Sequence, residues 1–427
     1  MVIVGVVVLT LLVVGVPIGI ALSGGSAVYI LFDPLLEPST IFRAFFSFLA
    51  RYALMALPLF IYAGFLMEGT GLIAKLFRFA DALVGWLPGG FGIATVLACV
   101  MFAAVSGSSV AMAAAMSVIA LPEMTKRGYP PWLAAGCVAC SGGIALLIPP
   151  SIILVLYGIV TETSILSLFL AGILPGMLLG VSNIVILLAV GPFLKLPRST
   201  FELRRVFHEF KGAAPALGMP VVVLGGLYGG LFTPTEAAAA ACGYAMLYGL
   251  ITGRGDFIRK LLPITRRAIN LTAVVLFLVG SVGVFQFLAA NLYWPQTVTE
   301  IVVGWGLSPL HFIFAFILVE MLLGCFVDGI AMVLLTMPVV FPVAWALNID
   351  PIHLGIMLTI AVEMSAVTPP IGLNLYAVSG TSGIPITVVL KGAIPFFCTD
   401  AIVLLSVIYF PELATWLPNQ LVTNVFK

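Results

Sequence analysis

Two short polar stretches interrupt long apolar runs, and their residue types suit the binding of a cation. The first is Ser106–Ser109, with the sequence SGSS, and the second is Phe326–Gly329, with the sequence FVDG. Hydroxyls and carbonyls exposed beside glycine are hard oxygen ligands without a full charge, which suits a monovalent ion that must bind and leave quickly. Asp328 is ionisable in an apolar environment, and no Lys or Arg lies in the neighbouring apolar segments. We therefore interpret Asp328 as the partner of a bound cation, with a proton as the rival occupant.

A double proline follows each of these polar stretches. One lies in LLIPPSIILVLYG (Leu146–Gly158) and the other in VTPPIGLNLYAVSG (Val367–Gly380). A proline inside a helix costs about 3 kcal/mol because it lacks an amide hydrogen and clashes with the preceding turn, so each pair predicts a helix broken in two. The free carbonyls and amides at such a break suit cations and carboxylates, respectively. The alternative is that the prolines only kink their helices and that the small residues only allow close packing.

Two polar tips and two broken helices together predict two cation sites beside a shared anion site. We select as candidate cation ligands, through side chains or main-chain carbonyls, Ser106, Gly107, Ser108, Gly142, Gly143, Pro149, Asp328, Gly329, Thr368 and Pro369. The candidates for contact with the solute are Ser108, Ser109, Pro150, Thr368 and Asn374.

The composition places these residues in a membrane. The chain of 427 residues is 62% hydrophobic and only 8% charged, with a mean hydropathy of +1.24. A soluble globular protein has about a quarter of its residues charged, so that class is excluded. Apolar runs long enough to span a bilayer recur throughout, and we interpret Val2–Ile20 as a first membrane helix rather than a signal peptide. The net charge of +1 gives no indication of nucleic acid binding, and the six cysteines are predicted to be buried thiols.

The two halves of the chain match each other at an offset of 220 residues. The offset aligns the double prolines at Pro149–Pro150 and Pro369–Pro370, and it aligns SGSSVAM with FVDGIAM. The Lys126–Arg127 loop is basic and therefore predicted to be cytoplasmic, as are the basic segments Lys195–Lys211 and Arg254–Arg267. The equivalent of the first loop, Ala346–Pro351, has no basic residue and one Asp, so we expect it outside. The halves therefore look like inverted repeats.

In each repeat, two apolar stretches of about 15 residues flank the polar tip. In the first they are Gly90–Val105 and Val110–Leu121, and in the second His311–Cys325 and Ile330–Phe341. A helix of 15 residues reaches only about 22 Å, which is short of the roughly 30 Å hydrocarbon core. We therefore predict an all-α polytopic protein of about 10–12 helices, in which each repeat holds a re-entrant hairpin and a discontinuous helix.

The acids outside these tips are weaker candidates. Glu236 is predicted to begin a helix, where it caps amides or takes part in transport. Glu320 and Glu363 lie in apolar segments, and Glu363 precedes the second break, where it is a weak candidate for tuning the cation site.

The chain resembles the large membrane subunit of the tripartite ATP-independent periplasmic (TRAP) transporters. The resemblance covers nearly the whole chain and is carried by VGVPIGIALS, SGSSVAMAAAMSVIALPEMTKRGYP, SGGIALLIPPSIILVLYGIVTETSILSLFLAGILPG, GGLFTPTEAAA, NIDPIHLGIM, TPPIGLNLYAVSGTSG and GAIPFF. It implies an elevator-type transporter in the bacterial cytoplasmic (inner) membrane, with sodium coupling at two or more sites. It also implies a four-helix small membrane subunit, a periplasmic solute-binding protein, and a small organic anion such as a C4-dicarboxylate, sialic acid or keto acid. Because the chain begins with the first large-subunit helix of that family, we expect the small subunit to be a separate polypeptide.

On this basis we divide the chain into five parts. They are N-terminal scaffold helices and arm (1–86), a first transport repeat (87–192), central cytoplasmic loops and scaffold helices (193–307), a second transport repeat (308–412) and a C-terminal tail (413–427). The alternative function is a stand-alone sodium- or proton-coupled carboxylate permease that needs no binding protein. An intramembrane enzyme is disfavoured because the sequence offers neither a nucleophile with its base nor a metal-ligand motif such as HExxH, and it has no Walker motif.

Overall fold

The computed structural model describes residues 2–425, without the side chains of residues 2–4, 9, 12, 13, 104–106, 254 and 422–425. Within that range the chain is built of helices, joined by turns, and contains no strand. Six helices are long and apolar enough to cross a membrane: Tyr52–Gly69, Ile165–Phe193, Leu203–Tyr228, Gly255–Asn291, Gly329–Ala346 and Ile386–Tyr409. The predicted all-α polytopic fold is confirmed.

The N-terminal part contains five α-helices. They are α1 (Val2–Val13), α2 (Ile18–Phe32), α3 (Ser39–Leu49), α4 (Ala56–Gly69, preceded by a 3-10 turn over Tyr52–Met55) and α5 (Leu72–Val84). Helix α3 is short and amphipathic, and Arg43 is its one charged residue. These properties are typical of a helix that lies at the membrane interface.

The first repeat has a hairpin followed by a broken helix. The hairpin is α6 (Gly90–Ser106) and α7 (Ser109–Ile119), and a short helix α8 (Leu121–Lys126) follows it. The broken helix is α9 (Pro131–Gly143), a 3-10 turn over Ile144–Leu146, and α10 (Ile152–Thr161), and α11 (Ile165–Phe193) completes the repeat. The break falls at the Pro149–Pro150 bond, which is cis.

The central part contains α12 (Leu203–Tyr228), α13 (Pro234–Asn291) and α14 (Trp294–Gly304). Helix α13 begins with a capping box, in which the Thr233 hydroxyl accepts from the Glu236 amide and Glu236 accepts from the Thr233 amide. The predicted capping role of Glu236 is therefore confirmed. Helices α2, α3, α4 and α12 all pack against α13, which makes it the spine of this part of the molecule.

The basic segment Arg254–Arg267 differs from the prediction of a central cytoplasmic loop, because it lies inside α13. Its Lys and Arg residues are good helix formers, and Pro263 is accommodated within the helix. Cys242 bonds the Leu59 carbonyl and Thr265 contacts the Tyr62 hydroxyl, both at 3.0 Å and within one turn of α4, whereas a straight helix would hold Cys242 and Thr265 about 35 Å apart. Helix α13 therefore folds back between these two residues, and its basic middle lies near the bend. The end of the other long basic segment, from Leu203 to Lys211, is likewise helical and belongs to α12.

The second repeat has the same order as the first. Its hairpin is α15 (Pro309–Gly324) and α16 (Gly329–Ala346), its broken helix is α17 (Pro351–Ser365) and α18 (Leu373–Ser382), and its last long helix is α19 (Ile386–Tyr409). The break again falls at a cis Pro–Pro bond, Pro369–Pro370. The segment that we expected to be a tail forms helix α20 (Glu412–Val425) and packs against α11 and α17.

The two repeats are interlocked by reciprocal contacts. Helix α7 of the first hairpin packs against α18, and the equivalent helix α16 of the second hairpin packs against α10. Such a pair of equivalent contacts is the signature of a two-fold relationship between the repeats. The inner halves of the broken helices form the centre of the molecule, since every residue of 133–143 in α9 and of 353–365 in α17 is buried.

A buried ion-pair network joins α5, α12 and the end of the first hairpin. The carboxylate of Asp81, which is 4% exposed, accepts a hydrogen bond from Arg205 Nη2 at 2.6 Å. Its other oxygen lies 3.5 Å from Arg127 Nη1, and the Arg127 guanidinium stacks 3.9 Å from the centre of the Phe91 ring. The basic residue that follows α8 is therefore fixed to two other elements.

Candidate cation and solute site

The first polar tip lies directly against the first break. Gly107 has a left-handed backbone (φ 60°), and Ser108 caps α7 by accepting a hydrogen bond from the Ala111 amide at 3.4 Å. A Cβ at Gly107 would lie 2.9 Å from the carbonyl oxygen of Pro150. Glycine is therefore needed here both for its backbone conformation and for the close approach. The side chain of Ser106 lies outside the described part of the chain.

The second tip lies against both breaks. Asp328 caps α16, and its Oδ1 accepts a hydrogen bond from the Ala331 amide at 2.8 Å. A Cβ at Gly329 would overlap Val362 of α17 and lie 3.1 Å from Ile153 of α10. A Cβ at Gly324, the last residue of α15, would overlap Ser365. Small residues thus bring this tip into contact with the ends of two broken helices.

A cavity of about 340 Å³ lies where the two tips and the two breaks meet. Its walls include Gly107, Ser108 and Ser109 from the first tip, Asp328 and Gly329 from the second, Leu146 and Ile152 from the first break, Ser365, Ala366 and Leu373 from the second break, and Leu271 of α13.

Helix ends supply most of the electrostatic character of this cavity. Its lining contains no Lys, Arg or His, and Asp328 is its one charged side chain among the described residues. Helices α7, α10, α16 and α18 begin at the cavity, and the positive ends of their dipoles favour an anion. Helices α6, α15 and α17 end there, and their last carbonyls favour a cation. One cavity therefore offers complementary partners to both kinds of ion.

The structure brings five of the candidate residues to the cavity and leaves others beside it. Gly107, Ser108, Ser109, Asp328 and Gly329 line it, as stated above. The candidates outside its lining are Gly142, Gly143, Pro149, Pro150, Thr368, Pro369 and Asn374.

Several of these outlying candidates have structural partners instead. The Asn374 side chain is fully buried and donates a hydrogen bond to the Ala139 carbonyl at 3.2 Å, which ties α18 to α9. The Thr368 hydroxyl donates to the Met364 carbonyl at 2.8 Å. Gly142 packs on the first hairpin, where its Cβ would lie 3.0 Å from the Ser109 carbonyl oxygen.

Twelve of the 17 residues that line the cavity were not predicted from the sequence, and Ser365 and Leu271 are two of them. Ser365 lies on the last turn of α17, four residues before Pro369, and its hydroxyl donates to the Val362 carbonyl at 2.8 Å. Ser365 could have been predicted from the sequence, because a polar residue one turn before a helix break is placed to face the gap at that break. Leu271 comes from α13, far away in the sequence, and no local pattern marks it.

No group of three or more His, Cys, Asp or Glu side chains that could hold a metal ion occurs among the described residues. A cation bound here would therefore be held mainly by hydroxyl and carbonyl oxygens. That donor chemistry fits a weakly held monovalent ion and does not fit a tightly bound transition metal.

Residues 5–413 match the family described as "Tripartite ATP-independent periplasmic transporter, DctM component". The chain belongs to this family. It is 35% identical over 436 residues to the C4-dicarboxylate TRAP transporter large permease protein DctM of Vibrio cholerae, and the match covers 97% of this chain and 96% of that protein. It is 32% identical over 414 residues to the sialic acid TRAP transporter large permease protein SiaM of Vibrio cholerae, with 96% of each chain covered.

The fold is also similar to that of a solved transporter. The crystal structure of the Alcanivorax borkumensis YdaH transporter, described as having an unusual topology, matches with a TM-score of 0.63. The match covers 93% of this chain and 98% of the other, at 13% sequence identity. The fold of the DctM family member described here is therefore shared with a protein of distant sequence.

Proposed function

We propose that this chain is the large membrane subunit of a sodium-coupled secondary transporter that imports a small organic anion delivered by a periplasmic binding protein. The observation that carries the proposal is the cavity formed by Ser108, Asp328 and the ends of both broken helices. It joins cation ligands to anion-binding helix termini, as symport of a sodium ion with a carboxylate requires.

The size and chemistry of the cavity support a small anion. Sites for small molecules have volumes of about 300–1,000 Å³, and this cavity, at about 340 Å³, lies at the lower end of that range. The names of the relatives point to C4-dicarboxylates and sialic acid. The smaller of these solute classes, the C4-dicarboxylates, suits the volume better.

Two places on the cavity wall suit sodium. At the first, Gly107 and Ser108 would supply a main-chain carbonyl and a hydroxyl. At the second, Asp328 and Gly329 would supply a carboxylate and a carbonyl. These hard oxygen donors carry at most one full charge between them, so a monovalent ion can bind there and be released. The bound ion would neutralise Asp328 and attract the carboxylate of the solute.

The placement of the cavity favours an elevator mechanism. Its walls come from the two transport repeats, apart from Leu271 of α13. A site enclosed almost wholly by one unit can move with that unit past the spine helix, while the spine stays fixed in the membrane.

The remaining partners follow from the family. The chain covers 96% of relatives named large permease proteins, and it would work with a small membrane subunit, as the tripartite family implies. The periplasmic binding protein would dock on the outer face of the membrane. The distribution of basic residues among the loops assigns Thr163, Asp350 and their neighbours to that face.

Uptake in proteoliposomes tests the proposal. We expect import of a radiolabelled C4-dicarboxylate only when this chain, the small subunit and the binding protein are all present and a sodium gradient is imposed. Liposomes containing the same proteins with potassium on both sides are the control. Sodium-dependent uptake by this chain alone would overturn the proposal in favour of the stand-alone permease, and uptake driven only by a pH gradient would assign the coupling to protons.

A further inference from the structure

A single arginine joins two parts of the chain that are distant in sequence. Arg51 lies between α3 and α4, and its Nη1 donates a hydrogen bond to the Ile159 carbonyl of α10 at 2.8 Å. Its Nη2 lies 3.4 Å from Oε1 of Glu162, the residue that ends α10. Arg51 therefore holds the C-terminal end of a helix that lies more than 100 residues further along the chain, since it is 108 residues from Ile159.

The C-terminal end of α10 is chemically suited to a guanidinium group. The last carbonyls of a helix have no amide partner within the helix, and the helix dipole is negative at that end. Ile159 lies in this last turn, and Arg51 donates to its carbonyl. Glu162 adds a formal negative charge from a left-handed backbone (φ 57°), which residues other than glycine rarely adopt. The guanidinium is positioned further by the Phe48 ring, whose centre is 4.4 Å away.

The two sides of this contact are attached to different parts of the molecule. On the side of Arg51 the chain continues into α4, which packs against α13 and is bonded to it between Tyr62 and Thr265. On the other side, α10 packs against α16 of the second hairpin, and Ile152 and Ile153 in its first turn line the cavity between the tips. A helix of ten residues is about 15 Å long. Arg51 thus holds one end of a short helix whose other end forms part of the cavity wall.

An open crevice separates these two parts beside the contact. It has a volume of about 610 Å³, and its walls include Tyr52 and Ala53 on one side and residues 158–159 and 162–166 on the other. The side chains of Arg51 and Glu162 are 36% and 78% exposed. Water can therefore replace their contacts at little cost, and separating the surfaces here does not disrupt a close-packed interior.

A second arginine contact crosses the same boundary close to a place where the chain itself crosses it. Arg127 of the first repeat lies 3.5 Å from Asp81 of α5, and α5 continues through a short turn into α6, the first helix of that repeat. Groups beside such a connection can stay together while the two parts rotate about it, as at a hinge. Arg51 and Ile159 have no such connection near them, so their contact has to break when the parts move relative to each other.

We propose that Arg51 is a conformational clasp, which holds α10 and the cavity wall in their position relative to α13 and has to release them before the site can move. This inference rests on the elevator mechanism proposed above. A contact that is made in only one of two states shifts the population toward that state, and removal of the contact favours the other state. The clasp sets the resting position of the transporter and takes no part in binding the ion or the solute.

The distance between two spin labels measures this equilibrium directly. The labels are attached at Glu37→Cys, before α3, and at Ala346→Cys, the last residue of α16, because both positions are exposed; Cys398→Ser removes the exposed native cysteine. For the full chain in lipid, double electron–electron resonance should give one main distance. Arg51→Gln should raise the population of a second distance several-fold. Arg43→Gln, which removes the same charge at an exposed position of α3, should leave the distribution unchanged.

Glu162→Gln guards against a loss of folding in the Arg51 variant. Glu162 is the more exposed partner, and its replacement leaves the bond from Arg51 to the Ile159 carbonyl in place. The second distance should therefore become more populated, but less so than in Arg51→Gln. The melting temperature of each variant checks its folding. Unchanged distance distributions in both variants would overturn the proposal and limit Arg51 to stabilising the end of α10.

The uptake assay described above separates this result from the proposed function. Sodium-driven import by the complete transporter, together with distances that do not respond to Arg51→Gln, would refute the clasp alone. Absence of such import, together with distances that do respond, would refute the proposed function and leave the clasp as a restraint between α10 and α13.

Discussion

The carboxyl group of Glu363 lies on the α-carbon of Gly143, and these two residues occupy equivalent positions in the two repeats, 220 residues apart. One copy keeps a carboxyl group and the other has no side chain at all. The two-fold arrangement brings the equivalent positions together at the centre, where only one side chain can fit. The difference between Glu363 and Gly143 is therefore a steric consequence of the two-fold arrangement of the repeats.

Replacing Gly143 with alanine is expected to destabilise the protein by about 1–3 kcal/mol, because the added methyl group overlaps Glu363 in a packed interior. The thermal unfolding of the purified protein in detergent measures this loss. Gly243→Ala is the matched control, since Gly243 is an exposed residue of α13 with nothing within 4 Å of its would-be Cβ. The control variant should be as stable as the parent or more so, and an equal loss in both variants would contradict the steric explanation.

Replacing Asp328 with asparagine is expected to reduce sodium-driven uptake at least tenfold and to preserve the fold. Asparagine caps a helix about as well as aspartate does, so the hydrogen bond from the Ala331 amide can persist while the charge is lost. Uptake in proteoliposomes and the melting temperature are both measured.

The control for this charge change is Asp350→Asn. Asp350 caps α17 in the same way, by accepting from the amides of Ile352 and His353 at 2.8 and 3.0 Å, and it lies outside the cavity lining. This variant should keep the sodium dependence of the parent, even if the change on the outer face alters docking of the binding protein. Normal sodium-driven uptake by the Asp328 variant would limit that residue to a capping role.

Replacing Ser108 with alanine is expected to raise the sodium concentration that gives half-maximal uptake several-fold, because the cavity loses a hydroxyl ligand. The change also removes a helix cap, at a cost of about 0.5–2 kcal/mol. Ser164→Ala separates the two effects, since Ser164 caps α11 with a similar hydrogen bond from the Ser167 amide at 3.3 Å. If both variants show the parent's sodium dependence, the first tip serves packing alone.

Replacing Arg205 with glutamine is expected to destabilise the protein by about 2–4 kcal/mol. The reason is that Asp81, which is almost fully buried, loses its hydrogen bond of 2.6 Å and keeps only the longer contact with Arg127. The half-exposed position of Arg205 reduces the effect below that of a fully buried pair.

Lys126→Gln is the control for this ion pair. Lys126 bonds Glu123 at 3.0 Å on the surface, and exposed pairs of this kind contribute about 0–1 kcal/mol. Chemical unfolding monitored by tryptophan fluorescence compares the two variants. A loss for Arg205→Gln no larger than that for Lys126→Gln would show that the Asp81 network has no stabilising role.

The architecture could be predicted because it depends on residue types that restrict the backbone conformation. Doubled prolines cannot continue a helix, so Pro149–Pro150 and Pro369–Pro370 located both breaks, and the polar tips located both hairpins. The helix at Arg254–Arg267 was missed because the positive-inside rule reports the side of the membrane and not the backbone conformation.

The details of the site were less accessible. Ser108 and Asp328 could be chosen because a polar residue in an apolar run stands out. Asn374 stands out equally, and its amide nitrogen donates to the Ala139 carbonyl while its buried Oδ1 has no hydrogen-bond partner among the described residues, so its predicted contact with the solute stays a prediction. Asp400 lies in an otherwise apolar segment of α19 and is fully buried, and no local sequence pattern predicts which side chains surround it in the fold.

The reciprocal packing of α7 on α18 and of α16 on α10 sets an order for biosynthesis. When the ribosome has completed α10, the helix that will cover it has not yet been made, and α11 to α15 must enter the bilayer first. Lipid or an assembly factor must occupy that face of the nascent chain in the meantime. A chain truncated after α14 would lack α16, which covers α10, and α18, which covers α7, so we expect membrane proteases to recognise it as unassembled.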